Sequence, residues 1–294
     1  MPIKEVPNVM QLITILLFVG FGVSLNSHAE NTINLLSRDD LNSHYAIGII
    51  KLGLDKAQYP YRFEINHSKF SEERYRQDAQ DGIVDIIWSA ANQTLEKQLI
   101  PIRVPLYKGL LGYRIFMVHK NNKNIFASVH TLEDLRKFTF GQGRLWPDTL
   151  ILRANSLKVE TSNYEGLFLM LDGSRFDAFP RAIFEPWAEI EARPNLNLTI
   201  DENIILGYKM PFYLYVSPKN PALAAALEKG LLMAVADGSF DRYFYNDPTV
   251  KKALEISDIK KRRVIELKNP NLSDKTPVNT EELWLDISQF NKTH

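Results

Sequence analysis

Short apolar segments alternate with helical patterns over the first third of the chain. Residues 32–37, 61–65 and 83–88 have the composition of buried or half-buried strands, and helical spacing of apolar residues lies between them, at 41–57 and 71–81. Strands that alternate with helices at this spacing are typical of a parallel sheet with helices on both faces. The chain is therefore predicted to be an α/β protein.

The stretch from Phe138 to Leu152 carries the clearest local pattern. An apolar run ends in Gly141-Gln142-Gly143, and a helical pattern opens near Pro147. Glycine before a helix and proline in its first turn both mark a helix start. Backbone N–H groups at such a turn can hold an anion, and glycines let a ligand approach the backbone. An ordinary strand–helix turn without a ligand is the alternative.

The known phosphate-binding fingerprints are absent from this turn. A dinucleotide fingerprint needs a third glycine where the chain has Trp146, and a phosphate loop needs a Gly-Lys-Ser/Thr ending. Trp146 and Arg144 beside the turn nevertheless favour a binding surface. Trp146 is expected either to stack on a ligand or to belong to the core.

Composition excludes several classes of function. The 294 residues suffice for one large domain or two small ones, and 45% of them are hydrophobic, enough for a packed core. Lysine plus arginine equals aspartate plus glutamate, so no basic excess exists to neutralise nucleic-acid phosphates. The chain has no cysteine, and its six histidines show no metal spacing. No Ser-His-Asp order is present, and we predict no metal, no cofactor and no catalytic residue.

The first 29 residues are predicted to be a cleavable signal peptide. An apolar run from Leu12 to Leu25 is followed by Ser27-His28-Ala29, which fits a small-x-small cleavage site. A retained membrane anchor is the alternative, but the run is short for a span of about 20 residues. Cleavage near Ala29 predicts a mature protein that is free in the periplasm.

Two apolar strands, at 110–119 and 211–216, are predicted to connect two lobes. The remainder from about Asp258 alternates charge with proline and asparagine. It is expected to wrap the first lobe, with residues 283–285 as an anchor. The predicted division is a signal peptide at 1–29, a first lobe at 30–110 and 217–294, and a second lobe at 111–216.

Four local patterns span nearly the whole chain after the signal peptide. They are the strand 83–89 preceded by Gly82, the unit Thr131-Leu-Glu-Asp-Leu with Phe140-Gly-Gln-Gly, the segment Asp172-Gly-Ser-Arg-Phe-Asp-Ala-Phe, and the helix end Ala236-Asp-Gly-Ser-Phe-Asp-Arg-Tyr. In this order they resemble the patterns of type 2 periplasmic solute-binding proteins, in the family that includes polar amino-acid binders (solute-binding family 3).

The resemblance implies a two-lobed α/β fold, each lobe a mostly parallel sheet flanked by helices, with two crossover hinge strands. Ligand is expected in the cleft between the lobes, and closure of the lobes traps it. Ligands of open α/β sheets lie beyond the carboxyl ends of the strands. Here those ends are Arg38 with Asp39, Trp88 with Ser89, and the turn at Gly141-Gln142-Gly143.

Two departures from the family pattern affect specificity. Amino-acid binders of the family carry an arginine that clamps the ligand carboxylate, and Lys97 stands in the matching region. Lysine cannot form the bidentate contact that arginine makes. The family also places an acid after the "D-A" strand to hold the ammonium group, where this chain has Arg181 before a helix predicted over 182–191. A carboxylate or another anionic group is therefore expected to suit the cleft better, unless Arg181 pairs with Glu185 four residues later.

The predicted function is capture of a small polar or anionic ligand for an ABC-type importer, as a monomer that meets an inner-membrane permease. A sensory binding protein that docks on a membrane receptor is one alternative. A dehydratase or lyase on the same fold is another, and it would need a cleft acid or base such as Asp39 or Glu185. The candidate ligand-binding residues are Arg38, Asp39, Trp88, Ser89, Lys97, Gln142, Gly143, Arg144, Trp146 and Arg181.

Overall fold

The structure, a computed structural model, describes Met1 and residues 30–38, 40–68, 71–144 and 146–287. Apart from Met1, the predicted signal peptide lies outside the described residues, as does Asp39. No described helix has the length and apolar character needed to cross a membrane.

Within the described residues, twelve strands form two sheets. In chain order they are β1 (Asn31–Ser37), β2 (Tyr61–His67), β3 (Ile86–Ala90), β4 (Ile100–Ile102), β5 (Tyr113–His119), β6 (Thr139–Gly143), β7 (Lys158–Ser162), β8 (Ala178–Ala182), β9 (Leu198–Ile200), β10 (Ile204–Gly207), β11 (Phe212–Val216) and β12 (Arg263–Glu266).

Ten α-helices are described. They are α1 (Leu41–Lys56), α2 (Glu72–Asp81), α3 (Gln93–Gln98), α4 (Leu132–Leu135), α5 (Pro147–Ala154), α6 (Tyr164–Asp172), α7 (Pro186–Glu191), α8 (Pro221–Ala236), α9 (Ser239–Asn246) and α10 (Pro248–Ile256). Proline stands in the first turn of α5, α7, α8 and α10. Backbone N–H groups in this turn make no hydrogen bond within the helix, so proline, which lacks the N–H, is tolerated there.

The first sheet has the order β2-β1-β3-β11-β4. β1 pairs in parallel with β2 and β3, whereas β11 runs antiparallel to both of its neighbours. Ile33 and Leu35 of β1 are buried in one core cluster with Ile49 of α1 and Leu227 of α8. Helices of both the N-terminal and the C-terminal segments thus share the core of this lobe.

The second sheet has the order β12-β10-β5-β8-β6-β7, with β9 paired to β5. β6 pairs in parallel with β7 and β8, and β5 is antiparallel to β8. Each sheet thus contains one strand, β5 or β11, that runs against its neighbours. The predicted α/β fold with two flanked sheets is confirmed.

The two crossover segments lie side by side. The N–H of Leu106 donates to the carbonyl of Phe212, and the N–H of Tyr208 donates to the carbonyl of Gly112. A Cβ at Gly112 would lie 1.9 Å from the carbonyl oxygen of Tyr208. Only glycine therefore allows the two backbones to approach so closely.

The predicted starts of one strand and of one helix need correction. The third strand was predicted over 83–88, but β3 begins at Ile86, and Ile83 is 62% exposed. Gly82 adopts a left-handed conformation, and the N–H of Ile83 bonds back to Asp78, so the chain is still turning there. The helix predicted over 182–191 is also too long, since β8 continues to Ala182 and α7 begins at Pro186.

The tail also differs from the prediction, which placed it with the first lobe. β12 pairs in parallel with β10 and so extends the second sheet. Ile265 of β12 is buried in the same core cluster as Leu206 of β10, and the burial of this side chain accounts for the added strand. The chain then returns, and residues 283–285 are buried in the core cluster of the first lobe.

Candidate functional site

A cavity of about 230 Å³ lies at the carboxyl ends of β1 and β3. It is lined by Arg38, Asp40, Asn42, Ser43, Tyr75, Trp88, Ser89 and Phe212. The structure thus brings three of the predicted residues, Arg38, Trp88 and Ser89, to one place. Their contact with a ligand stays a prediction.

Contacts with neighbouring residues explain the positions of several side chains that line this cavity. Asp40 is the N-cap of α1, and its carboxylate accepts a hydrogen bond from the N–H of Ser43 at 2.7 Å. The hydroxyl of Tyr107 donates to the side chain of Asn42. Trp88 is only 8% exposed and meets Tyr75 edge to face, with ring centroids 6.1 Å apart. Most of the Trp88 side chain therefore packs in the core, and the remainder forms a wall of the cavity.

A second cavity, of about 430 Å³, lies at the carboxyl ends of β6 and β7. Its lining residues are Gly143, Arg144, Trp146, Ser162, Asn163 and Tyr164. Gly143, Arg144 and Trp146 were predicted from the glycine turn. Asn163 and Tyr164 were missed, although Asn163 before a helical pattern is an N-cap signal, and its side chain does cap α6.

Trp146 lies flat over the end of β6. A Cβ at Gly143 would be 2.3 Å from the Trp146 ring, so the indole occupies the space above this glycine. The indole also stacks on Phe179, with ring centroids 6.1 Å apart and an interplanar angle of 18°. The guanidinium of Arg181 lies 5.0 Å from the ring centroid. Trp146 is thus both a half-buried core residue and a wall of the cavity.

Arg181 does not present an unbalanced charge to the cleft. It is 7% exposed, and its Nε and Nη2 donate to the carboxylate of Glu189 at 2.8 and 2.6 Å. Nη2 also lies 3.0 Å from Oε1 of Glu185, so the predicted i, i+4 pair is present. A buried cation needs such partners because losing water is costly. The geometry therefore favours the structural role of Arg181 that the sequence had left open.

A second buried charge cluster lies beneath the start of α5. Asp148 is 2.8 Å from Nη2 of Arg114 and accepts a hydrogen bond from the hydroxyl of Tyr208. Burial tends to lower the pKa of Arg114, but the charge of Asp148, together with Tyr208 and Glu185, outweighs burial and holds this pKa above its usual value. Asp148 stands in the first turn of α5, where the helix dipole favours an anion. An anionic ligand was expected at the start of α5. Asp148 already places a carboxylate of the protein near this helix start.

Two further predicted residues line neither cavity. Lys97 is exposed on α3, beyond the residues that line the first cavity. Gln142 is 1% exposed, and its amide nitrogen donates to the carbonyl of Pro180 at 3.3 Å. The side chain of Gln142 thus connects β6 to β8 inside the second lobe.

Adjacent residues of the tail contact the two helices that follow the cavity-bearing strands β6 and β3. The side chain of Asn271 donates to the carbonyl of Pro147, at the start of α5, at 3.4 Å. The carbonyl of the next residue, Leu272, accepts from the side chain of Gln93, at the start of α3, at 3.5 Å. These helices follow directly after the strand ends that carry the two cavities. Adjacent tail residues can reach both only if the two strand ends lie across a narrow gap.

The groups present are suited to binding. Each cavity contains one exposed arginine, Arg38 or Arg144, together with aromatic walls and hydroxyl or amide groups. Among the described residues, no three carboxylate or imidazole side chains are grouped so that they could hold a metal ion. The arrangement can therefore hold a small polar molecule by charge, hydrogen bonds and stacking.

The chain matches no protein-family model and no curated protein sequence. Several solved structures are similar to it. One is ytmK of Bacillus subtilis, described as a probable amino-acid ABC transporter extracellular-binding protein: identity is 16%, the match covers 76% of this chain and 99% of that one, and the TM-score is 0.53.

Two further solved structures are similar to this chain. An ancestral arginine-binding protein bound to arginine is 18% identical, with 75% of this chain and 100% of that one covered and a TM-score of 0.48. A Salmonella typhimurium periplasmic binding protein with high arginine specificity is 14% identical, with 72% and 97% covered and a TM-score of 0.46. The likeness to the B. subtilis protein shows that this chain has the two-lobed fold of periplasmic binding proteins.

Proposed function

We propose that this chain is an extracytoplasmic solute-binding protein that captures a small polar or anionic ligand and presents it to an ABC-type permease. The observation that carries the proposal is the pair of cavities at the carboxyl ends of strands in two separate sheets, which we infer to face one gap because adjacent tail residues contact the helix starts beside both. A ligand in that gap would contact both lobes, so its binding would favour closure. The predicted signal peptide supports a periplasmic location.

Two exposed arginines in the cavity walls favour a carboxylate or another anionic group on the ligand. Arg114 and Arg181, by contrast, are buried and paired with carboxylates of the protein. Arg38 and Arg144 line the two cavities and are exposed, so they are the cations best placed for a ligand. Trp146 and Tyr164 add a flat apolar wall, which suits a planar or aliphatic part of the same molecule.

A binding role is favoured over catalysis. A catalytic relative would need an acid or base in the cleft, and Glu185 was one candidate. Its two carboxylate oxygens contact Arg181 at 3.0 Å and the N–H of Ala182 at 2.7 Å. These contacts orient Glu185 as a partner of a buried cation rather than as a group that exchanges protons with a substrate.

The experiment is a thermal-shift screen of the purified mature protein against amino acids, organic acids, peptides and sugars, combined with native mass spectrometry. We expect one class of carboxylate-bearing solutes to raise the Tm and to be recovered unchanged. Arg38→Ala and Arg144→Ala should abolish the shift, whereas Arg175→Ala, at an exposed arginine outside both cavities, should retain it. Conversion of the solute would favour catalysis, and a screen without any shift would contradict the proposal.

A further inference from the structure

The tail makes two additional connections between the lobes. Besides the two crossover segments, residues 257–262 lead from α10 to β12 of the second sheet, and residues 267–277 lead back toward α3 of the first lobe. The resemblance implied only the two crossovers. Four segments rather than two therefore join the lobes within the described residues.

The outgoing segment is fixed by a buried arginine. The Nε of Arg262 donates to the carbonyl of Ser257, next to α10, at 2.6 Å, and its Nη1 donates to the carbonyl of Asp201 in the second lobe. Arg262 is 7% exposed, and burial lowers its pKa. One guanidinium thus donates hydrogen bonds to backbone carbonyls of both lobes.

The returning segment is fixed to the second lobe at its beginning. Asn155, at the end of α5, donates to the carbonyl of Lys268 at 2.7 Å and accepts from the N–H of the same residue at 3.0 Å. Asn155 is 7% exposed. The N–H of Leu267 also donates to the carbonyl of Gly207 at 2.8 Å.

The same segment is fixed to the first lobe five residues later. The hydroxyl of Ser273 donates to Oε2 of Glu96 on α3 at 2.7 Å. Glu96 is held in turn by Arg103, whose Nη2 is 2.7 Å from the same oxygen. The side chain of Glu96 is 7% exposed, so this attachment is shielded from solvent.

The number of residues between these two attachments limits how far apart the two attached helices can lie. A fully extended chain spans at most about 3.6 Å per residue, so the five steps from Lys268 to Ser273 reach about 18 Å. The attached residues, Asn155 and Glu96, belong to the helices on the two sides of the gap. If these helices move so far apart that this segment cannot span the distance, one of the two attachments must break.

We propose that residues 267–277 form a strap that limits how far the two lobes can open. The strap passes along one rim of the gap, where Asn271 and Leu272 contact the starts of α5 and α3. It therefore also closes that rim to a ligand longer than the gap. The inference concerns the motion of the lobes and does not depend on which solute, if any, the gap holds.

The test is a distance measurement between the two helices in the ligand-free protein. The chain has no cysteine, so Gln98→Cys on α3 and Leu150→Cys on α5, both exposed, can be spin-labelled selectively and measured by pulsed electron resonance. A four-residue Gly/Ser insertion between Asn271 and Leu272 lengthens the strap and keeps both attachments. The matched control places the same insertion between Asn279 and Thr280, which are exposed and lie beyond the strap.

We expect a narrow distance distribution in the parent protein and in the control. The strap insertion should broaden the distribution and lengthen its mean by about 5 Å or more, roughly the reach of one or two added residues. Ser273→Ala should shift it in the same direction, and it serves as the second variant if the insertion prevents folding. A distribution that is unchanged by both strap variants, or equally changed by the control, would overturn the proposal.

Discussion

Arg181 and Glu189 form a bidentate ion pair beneath the second cavity, with Nε–Oε2 and Nη2–Oε1 distances of 2.8 and 2.6 Å. The arginine belongs to β8 and the glutamate to α7. The pair therefore fixes the short helix against the strand end and holds the cation under the Trp146 ring. The position of the cavity wall thus depends on a charge pair rather than on apolar packing alone.

Glu189→Gln should destabilise the protein strongly, because it leaves the buried guanidinium of Arg181 with less compensating charge. Removing one partner of a buried pair costs about 3–5 kcal/mol in free energy of unfolding. The measurement is chemical denaturation at pH 7. Glu191→Gln changes an exposed carboxylate of the same helix and should cost less than about 0.5 kcal/mol. Equal effects of the two substitutions would show that the ion pair does not stabilise the fold.

Gly143→Ala should displace the indole of Trp146, because the added methyl group would lie 2.3 Å from the ring. Trp146 lines the second cavity and stacks on Phe179, so its displacement should change the shape of this cavity. We expect a destabilisation of about 1–3 kcal/mol and a shifted tryptophan fluorescence maximum. At Gly173 the nearest atom to an added methyl group is 3.3 Å away, and Gly173→Ala should leave the fluorescence unchanged. An unchanged spectrum in Gly143→Ala would contradict the described packing.

The capping box of α4 predicts a pH dependence of stability. Hydrogen bonds from the N–H of His130 and from Thr131, together with Lys137, hold the pKa of Asp134 well below its usual range. The ionised form is thus favoured in the folded state, and its contribution is present above the unfolded pKa of about 3.9 and lost as the pH falls. The Tm difference between the parent protein and Asp134→Asn should be largest near pH 7 and shrink below about pH 4. A constant difference from pH 7 to pH 3 would contradict this assignment.

Trp284→Ala should loosen the end of the tail. The indole is 5% exposed, it packs against Gly109 of the first crossover, and the ammonium of Lys209 lies 4.5 Å from its ring centroid. Loss of a buried aromatic side chain costs about 3–5 kcal/mol. Val278→Ala, at a residue of the tail that is 38% exposed, is the control and should be nearly neutral. If both variants unfold at the same denaturant concentration, the tail is not part of the cooperative core.

The strand–turn–helix unit at 139–154 could be predicted because its signals are local. Proline at 147 marks the start of α5 as predicted, but the predicted glycine turn is wrong in detail, since Gly141-Gln142-Gly143 pair with β7 and belong to β6. The three strand ends that the resemblance implied also carry the two cavities.

The tail could not be predicted in the same way. β12 is a strand because its partner β10 lies about sixty residues earlier, and four residues of alternating character do not reveal such a distant pairing. The pairing of Arg181 with Glu189 was missed for a related reason. Helical spacing suggested Glu185, whereas Arg181 lies in a strand, and only the turn between β8 and α7 brings Glu189 close.

Calorimetric titration would show whether one solute is held between the two lobes. The solute that raises the Tm most would be titrated into the parent protein, Arg38→Ala and Arg144→Ala, which change one residue in each cavity. We expect each substitution to weaken binding at least about tenfold, equivalent to about 1.4 kcal/mol. Full affinity in either variant would show that the solute does not bridge the two cavities and would rule out binding between the lobes.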